Sequence, residues 1–154
     1  MLGILKEDTI EKILEKNVVG RIGFSDKERM FIIPVTYLYT GKYIIAHSRE
    51  GQKISILRKR PDVCFQVEEI DNLSNWRSVL AWGKYEEITD KKERYYALDL
   101  LLRKINRTRV SETALPEHSF DAGGHLVIPD ELKTIVYRIH IKEATGRFET
   151  GEDE

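Results

Sequence analysis

The sequence predicts a mainly β protein, a small antiparallel barrel with flanking helices. Three observations support this prediction: six segments have the composition of β-strands, tight turns join the first three of them, and a long strand contains a central glycine, Gly83. β-Branched and aromatic residues favour strands, and bent strands with central glycines form the corners of small barrels. After a leading helix, the predicted order is β-β-β-α-β-β-α-β, which fits an antiparallel barrel better than a parallel sheet.

Length and composition indicate one domain with its own core. The chain has 154 residues, of which 41% are hydrophobic. We expect the domain to span residues 1–148 and residues 149–154 to form a disordered acidic tail. The net charge of -1 gives no indication of a nucleic-acid or membrane partner. A single cysteine, Cys64, indicates a reducing compartment, and no apolar run approaches the length of a membrane span, so we expect a cytoplasmic protein.

The first helix and the first two strands are predicted from local patterns. Asp8 and Glu11 have the spacing of a capping box, which places the start of a helix at Asp8. The second strand, over residues 30–39, contains Pro34. Because proline cannot donate a hydrogen bond to a neighbouring strand, Pro34 predicts a sheet edge, a bulge or an opening in the sheet.

The third strand leads into a turn that is suited to an anion. The strand is predicted to end at His47, and a short helix with Ile54 and Leu57 on one face follows the turn. The start of a helix presents unpaired N–H groups and the positive end of the helix dipole. Ser48, Arg49 and Lys53 add a hydroxyl group and two positive charges. This pattern favours an anion site, although a solvated basic helix has the same composition.

The second half of the chain contains the longest predicted elements. Gly83 predicts a bulge or a close backbone approach in the strand over residues 76–88, and Asp90 and Glu93 form a second capping box before a long helix. Residues 107–132 show no clear period and are expected to form a lid or binding segment. The last strand alternates, with one face formed by Ile135, Tyr137, Ile139 and Ile141. The basic residues at the end of the long helix are predicted to be solvated: Arg103, Lys104, Arg107 and Arg109.

The sequence contains no recognisable metal or hydrolase motif. His118, His125 and His140 lack the helical spacing of metal ligands, so we expect no metal site. Motifs typical of serine hydrolases, zinc proteases and nucleoside triphosphatases are also absent from the sequence. Redox chemistry would therefore require a bound cofactor.

Six segments, taken in their order and spacing, carry a family resemblance. They cover residues 19–23, 33–37, 45–53, 60–65, 76–83 and 144–147. Together they resemble the split-barrel flavin-binding family related to pyridoxamine 5'-phosphate oxidase, and within it the branch of 5-nitroimidazole-resistance proteins. The resemblance implies a six-stranded antiparallel split barrel of the FMN-binding type.

The resemblance also implies a homodimer with FMN, or alternatively FAD, in each groove between the subunits. It places the cofactor phosphate at Ser48 and Lys53, with Arg49 and Gly51 in the same turn. His47 would lie beside the ring as a candidate catalytic residue, because the pKa of histidine is ordinarily near neutrality. The flavin ring would lie along Pro34, Val35, Thr36 and Tyr37, and the partner subunit would complete the groove with Trp76, Ser78 and Val79.

The function implied is a flavin-dependent oxidoreductase that acts on a small molecule, with a nitroaromatic as one candidate acceptor. Two alternatives remain: a flavin-binding protein without catalysis, and a haem-binding or haem-degrading split barrel. Pyridoxamine 5'-phosphate oxidase itself uses basic residues near its C-terminus to hold the substrate phosphate. This chain has an acidic segment there, at residues 151–154, so we do not expect oxidation of that substrate.

Overall fold

The computed structural model describes residues 1–108, 122 and 134–151. Within these residues, eight strands form one antiparallel sheet in the order β3-β2-β6-β7-β8-β5-β4, and β1 pairs with β8. The helices are α1 (Glu7–Lys16), α2 (Gln52–Lys59) and α3 (Lys91–Thr108). The strands are β1 (Leu2–Ile4), β2 (Val19–Ser25), β3 (Met30–Thr36), β4 (Leu38–Tyr39), β5 (Tyr43–Ser48), β6 (Asp62–Asn72), β7 (Asn75–Glu87) and β8 (Ile135–Glu149). The predicted class, a mainly β antiparallel barrel with flanking helices, is confirmed.

The structure has two more strands than the six predicted. One is β1, which is only three residues long and too short to be recognised from its pattern. The other arises because the predicted strand over residues 30–39 is divided at Tyr37. Thr36 pairs with Val19 on β2, whereas Leu38 pairs with Ile45 on β5. The chain therefore passes at Tyr37 from one edge of the sheet to the other.

The two predicted capping boxes have different outcomes. Helix α1 begins at Glu7, one residue earlier than predicted, and the side chain of Asp8 accepts a hydrogen bond only from the N–H of its neighbour Thr9, at 2.9 Å. The first capping box is therefore wrong. In the second, the Asp90 carboxylate accepts a hydrogen bond from the N–H of Glu93 at 3.1 Å, so Asp90 caps the N-terminus of α3 as predicted.

A bulge lies where β7 and β8 change register. Gly83 pairs with Ile141 and Trp82 pairs with Glu143, which leaves Lys142 as an extra residue on β8. A β-carbon at Gly83 would lie 2.3 Å from the carbonyl oxygen of His140, a distance at which no side chain fits. The irregularity and the close backbone approach predicted from this glycine are both confirmed.

Two apolar clusters hold the helices against the sheet. The first fills the barrel and includes α1 and α2; the second joins α3 to the opposite face of β5 and β8. The alternation of β5 explains this division, because Ile44 belongs to the first cluster and Ile45 to the second. The largest fully buried side chains are Tyr37, Tyr137, Phe65, Leu14, Ile22, Ile44, Ile54, Leu57, Leu98, Leu101, Leu102 and Ile105.

The ordered domain extends past the predicted boundary at residue 148. β8 includes Glu149, the N–H of Thr150 donates to the carbonyl of Met1 at 3.0 Å, and the N–H of Gly151 donates to Asn75 Oδ1 at 3.1 Å. The tail prediction is therefore wrong for residues 149–151, whereas residues 152–154 lie outside the described residues. Most of the predicted loop, residues 109–121 and 123–133, also lies outside them. None of the three helices described is long and apolar enough to cross a membrane.

Candidate functional site

The turn between β5 and α2 leaves a helix N-terminus without a cap. Ser48 ends β5, and its hydroxyl donates to the neighbouring carbonyl of Arg49 at 3.1 Å. Gly51 precedes α2, and among the described residues no side chain caps this helix and no acidic residue lies in its first turn. A β-carbon at Gly51 would meet no atom within 4 Å, so the approach to the helix end is open. Free N–H groups and the positive end of the dipole therefore face this approach.

Lys53, in the first turn of α2, is a cation to which the described part of the chain offers no partner. Its side chain is half-buried, and burial lowers the pKa of its ammonium group. Among residues 1–108, 122 and 134–151 it has no hydrogen bond and no ion pair. Charged groups that lose water on folding are normally paired. An anionic ligand at the end of α2 would supply the missing partner.

The sheet opens beside this turn. β4 pairs with β5 through Leu38 and Ile45, and this pairing does not continue into β3. Among the described residues, β3 pairs only with β2. On its other side, β5 continues alongside β8 as far as Ser48. The edge of β3 and the end of β5 therefore each lack a partner strand on one side, and we refer to the region between these two segments as the opening. Pro34 lies on this edge strand, opposite Arg21, which confirms the edge position predicted from its missing N–H group.

Of the four predicted ring contacts on β3, three remain accessible and one does not. Pro34 is exposed, and Val35 and Thr36 are half-buried. Tyr37 is fully buried: its hydroxyl donates to the carbonyl of Leu14 at 2.8 Å and its N–H donates to the carbonyl of Val18 at 2.9 Å. Its own carbonyl accepts a hydrogen bond from the Lys104 ammonium at 3.2 Å, so the side chain of Tyr37 is held in the core and only its backbone is left for a contact with the ring.

The predicted segment on β7 is divided between the two faces of the sheet. The indole N–H of Trp76 donates to Glu149 at 2.9 Å, and Ser78 accepts a hydrogen bond from Gln66 at 3.0 Å; both side chains are half-buried. Val79 points the other way and is fully buried in the core, so its side chain does not lie on the face that presents Trp76 and Ser78. The period of two along a strand could have shown this.

The β7 residues lie apart from the opening in the same chain. Strands β2 and β6 separate β3 from β7, which amounts to three strand spacings, or about 14 Å. A ring held at Pro34 therefore does not lie against Ser78 of the same chain. Within one chain, the sheet topology therefore leaves the predicted residues of β7 at a distance from those of β3.

His47 and Lys104 complete the surroundings of the opening. His47 is half-buried on β5, next to Ser48 and opposite Val136. Lys104 was predicted to be solvated, but it is only 7% exposed and its ammonium group also donates to the carbonyl of Asn17 at 2.7 Å. No three His, Cys, Asp or Glu side chains of the described residues are arranged to hold a metal ion.

The family model for pyridoxamine 5'-phosphate oxidase matches residues 6–148. The chain belongs to this family. An uncharacterised protein of Rhizobium meliloti is 25% identical to this member of the pyridoxamine 5'-phosphate oxidase family, over 94% of this chain and 93% of the relative.

Two solved structures share the fold. The first is a FAD-binding protein from Mesorhizobium loti, with a TM-score of 0.78 and 24% identity over 97% of this chain and 99% of that one. The second is a candidate 5-nitroimidazole antibiotic resistance protein from Bacteroides thetaiotaomicron, with a TM-score of 0.70 and 20% identity over 96% of this chain and 87% of that one. At these identities, the two likenesses show the fold that this member of the pyridoxamine 5'-phosphate oxidase family adopts.

Proposed function

We propose that this member of the pyridoxamine 5'-phosphate oxidase family binds a flavin at the opening between β3 and β5. The observation that carries the proposal is the half-buried Lys53 at the N-terminus of α2: among the described residues, Lys53 has no partner and the helix has no side-chain cap. A phosphate there would accept hydrogen bonds from the helix N–H groups, from Ser48 and from Lys53. The flavin ring would then extend along Pro34, Val35 and Thr36, where no neighbouring strand competes for the edge of β3.

The cofactor that fits this turn best is FMN. Its terminal phosphate monoester is the most highly charged group that a flavin offers to a helix end. FAD is the alternative, since the Mesorhizobium protein of the same fold is described as FAD-binding. Arg49, which is exposed in the same turn, would contribute charge to either phosphate.

We further propose a homodimer, in which each flavin lies between the subunits. One face of the sheet exposes apolar side chains on β3 and β7: Met30 is 89% exposed, Ile32 75% and Trp82 40%. These residues line a cavity of about 400 Å³ together with Gly23 and Cys64. Exposed apolar patches of this kind mark association surfaces. A second copy packed on this face could bring its Trp76 and Ser78 to a ring that the same chain's residues do not reach.

The activity we propose is electron transfer between a reduced nicotinamide and a small acceptor. A bound flavin supplies the redox chemistry, while the chain binds its phosphate, orients its ring and limits access of water. His47, beside the turn, is the candidate for proton donation to a substrate. The nitroaromatic class of acceptor is supported by the likeness to the Bacteroides protein.

The first experiment is an absorbance spectrum of the purified protein, followed by mass analysis of the molecule that heat releases. We expect bands at about 370 and 450 nm, and the mass of FMN. Titration of the apoprotein should then give tighter binding of FMN than of riboflavin, which has the same ring and no phosphate. Failure to bind any flavin would overturn the proposal.

A second experiment separates turnover from binding alone and from haem binding. Oxidation of NADH or NADPH by the flavin-loaded protein, with a nitroaromatic acceptor present, would support an enzyme. Flavin binding without turnover of any donor would identify a carrier or sensor. A Soret band after addition of haem to a protein that binds no flavin would identify the haem-binding alternative.

A further inference from the structure

Arg58, near the end of α2, forms ion pairs with two carboxylates. Its guanidinium group bonds both oxygens of Glu50, with Nη2 3.0 Å from Oε2. The same Nη2 lies 2.7 Å from Oε1 of Glu87 on β7, and Nε lies 3.2 Å from that oxygen. The hydroxyl of Tyr85 also donates to Glu87, at 3.5 Å. Arg58 thus connects the turn before α2 to the neighbouring strand.

Glu50 is the only acidic residue in the turn over residues 48–53, where a phosphate is proposed to bind. It directly precedes Gly51, close to the free N–H groups of α2. From that position an unpaired carboxylate would occupy the helix end as a cap, because the dipole attracts it. It would also repel a phosphate, since like charges at this range oppose each other even near the surface.

The ion pair with Arg58 keeps the Glu50 carboxylate from capping the N-terminus of α2. Helix α2 has eight residues and is therefore about 12 Å long, and Arg58 belongs to its last turn. Both oxygens of the Glu50 carboxylate are bonded to that guanidinium group, and no described side chain, that of Glu50 included, caps the helix. The described residues give Arg58 a second anchor, Glu87, which fixes the guanidinium group against β7.

We propose that Arg58 is a positioning residue for the anion site: it holds Glu50 away from the helix end and leaves that end free for a phosphate. This inference rests on the proposed flavin function. It concerns the phosphate alone, since Arg58 contacts neither the edge of β3 nor the opening beside it in the described structure.

The test is a double-mutant cycle with two ligands. Wild-type protein, Arg58→Gln, Glu50→Gln and the Glu50→Gln/Arg58→Gln double variant are titrated with FMN and with riboflavin. We expect Arg58→Gln to weaken FMN binding about tenfold, and more at low salt, without affecting riboflavin. The double variant should recover FMN affinity to within about twofold of wild type, because the repelling carboxylate is then gone.

A matched control is Arg103→Gln, which removes an exposed arginine that pairs with Asp99 on α3. It should leave the affinity for both ligands unchanged. If the double variant binds FMN as weakly as Arg58→Gln does, Arg58 acts through the packing of α2 on β7 and the inference is overturned. Equal loss of FMN and riboflavin affinity in Arg58→Gln, or no loss of either, would also overturn it. If wild-type protein binds neither ligand, the flavin function itself fails, and the inference fails with it.

Discussion

Lys53 and Lys104 both lose water on folding, but among the described residues only Lys104 finds hydrogen-bond partners. Lys104 is buried on α3 and donates to the carbonyls of Asn17 and Tyr37, and its ammonium group lies 4.7 Å from the centre of the Tyr37 ring. Lys53 is half-buried on α2 and has no partner among the described residues. Burial lowers the pKa of both groups.

Lys104 is thus a structural charge, whereas Lys53 is a charge that is available to a ligand. Lys104 connects α3 to the segment after α1 and to the crossing between β3 and β4, so its ammonium group acts as a fixed donor within the fold. The free energy spent on desolvating Lys53 is not recovered by any described contact. A bound phosphate would recover this free energy. Lysine therefore stabilises the fold at position 104 and is available to a ligand at position 53.

The largest effect that would separate the two lysines is on stability. Replacing Lys104 with alanine removes two hydrogen bonds and leaves two carbonyls unpaired, so we expect Lys104→Ala to lower the free energy of unfolding by about 3 kcal/mol. Lys53→Ala should change it by less than about 0.5 kcal/mol, since no hydrogen bond or ion pair with a described residue is lost. Urea denaturation of the apoproteins measures both. Equal losses in the two variants would contradict the comparison.

The second effect is on ligand binding, and here we expect the larger loss from the replacement of Lys53. We expect Lys53→Ala to weaken FMN binding about 30-fold, or about 2 kcal/mol, because a charged hydrogen bond to the phosphate is lost. Lys59→Ala, which removes an exposed lysine from the same helix, is the matched control and should bind FMN normally. If both variants bind FMN equally well, the phosphate does not lie at this turn.

The third effect is the dependence of stability on pH at Lys104. Burial, with a smaller contribution from Arg107, lowers the pKa of Lys104 to about 8, below its ordinary value of 10.5. Between these values the unfolded chain binds more protons than the folded one, so folding becomes more favourable as the pH rises. We expect the stability of wild-type protein relative to Lys104→Met to increase by roughly 1–2 kcal/mol between pH 7 and pH 10. A constant difference across this range would show that the pKa of Lys104 is ordinary.

The smallest effect compares helix ends instead of lysines. At the N-terminus of α3, the Asp90 side chain accepts a hydrogen bond from a backbone N–H group. At the N-terminus of α2, no described side chain does so. Asp90→Ala should therefore lower the free energy of unfolding by about 1 kcal/mol. Asp8→Ala, at the end of α1, should lower it by less than half as much, because Asp8 lies within the helix and does not cap it. Urea denaturation measures both free energies of unfolding. A larger loss in Asp8→Ala than in Asp90→Ala would contradict this prediction.

Local patterns were sufficient to predict the sheet and the turn. The missing N–H of Pro34 predicted an edge, and the missing side chain of Gly83 predicted a close backbone approach, because each constraint belongs to the residue itself. The turn before α2 was predicted for the same reason: Ser48 and Lys53 lie within one turn of a helix start. These features depend on neighbours in sequence, which a single chain displays directly.

Features that depend on distant contacts could not be predicted in this way. The family resemblance placed Tyr37 beside the flavin ring, whereas in the structure the chain changes partner strands there and the side chain turns into the core. The ion pair between Arg58 and Glu87 joins residues 29 positions apart. Lys104 is an intermediate case: it lies three residues after Leu101 and seven after Ala97, on the buried stripe of α3, so its burial was readable from the helical period.

The bulge at Lys142 has a consequence for the lengths of chain that this barrel can accept. In β8, odd-numbered residues such as Ile139 face the core before the bulge, and even-numbered residues such as Gly146 face it afterwards. Losing Lys142 would restore regular pairing and keep both faces as they are, at the expense of the local bend. Losing a residue farther along, such as Thr145, would exchange inside and outside for every residue that follows. β8 can therefore tolerate a one-residue deletion at Lys142, because at that position it has one residue more than β7, the strand with which it pairs.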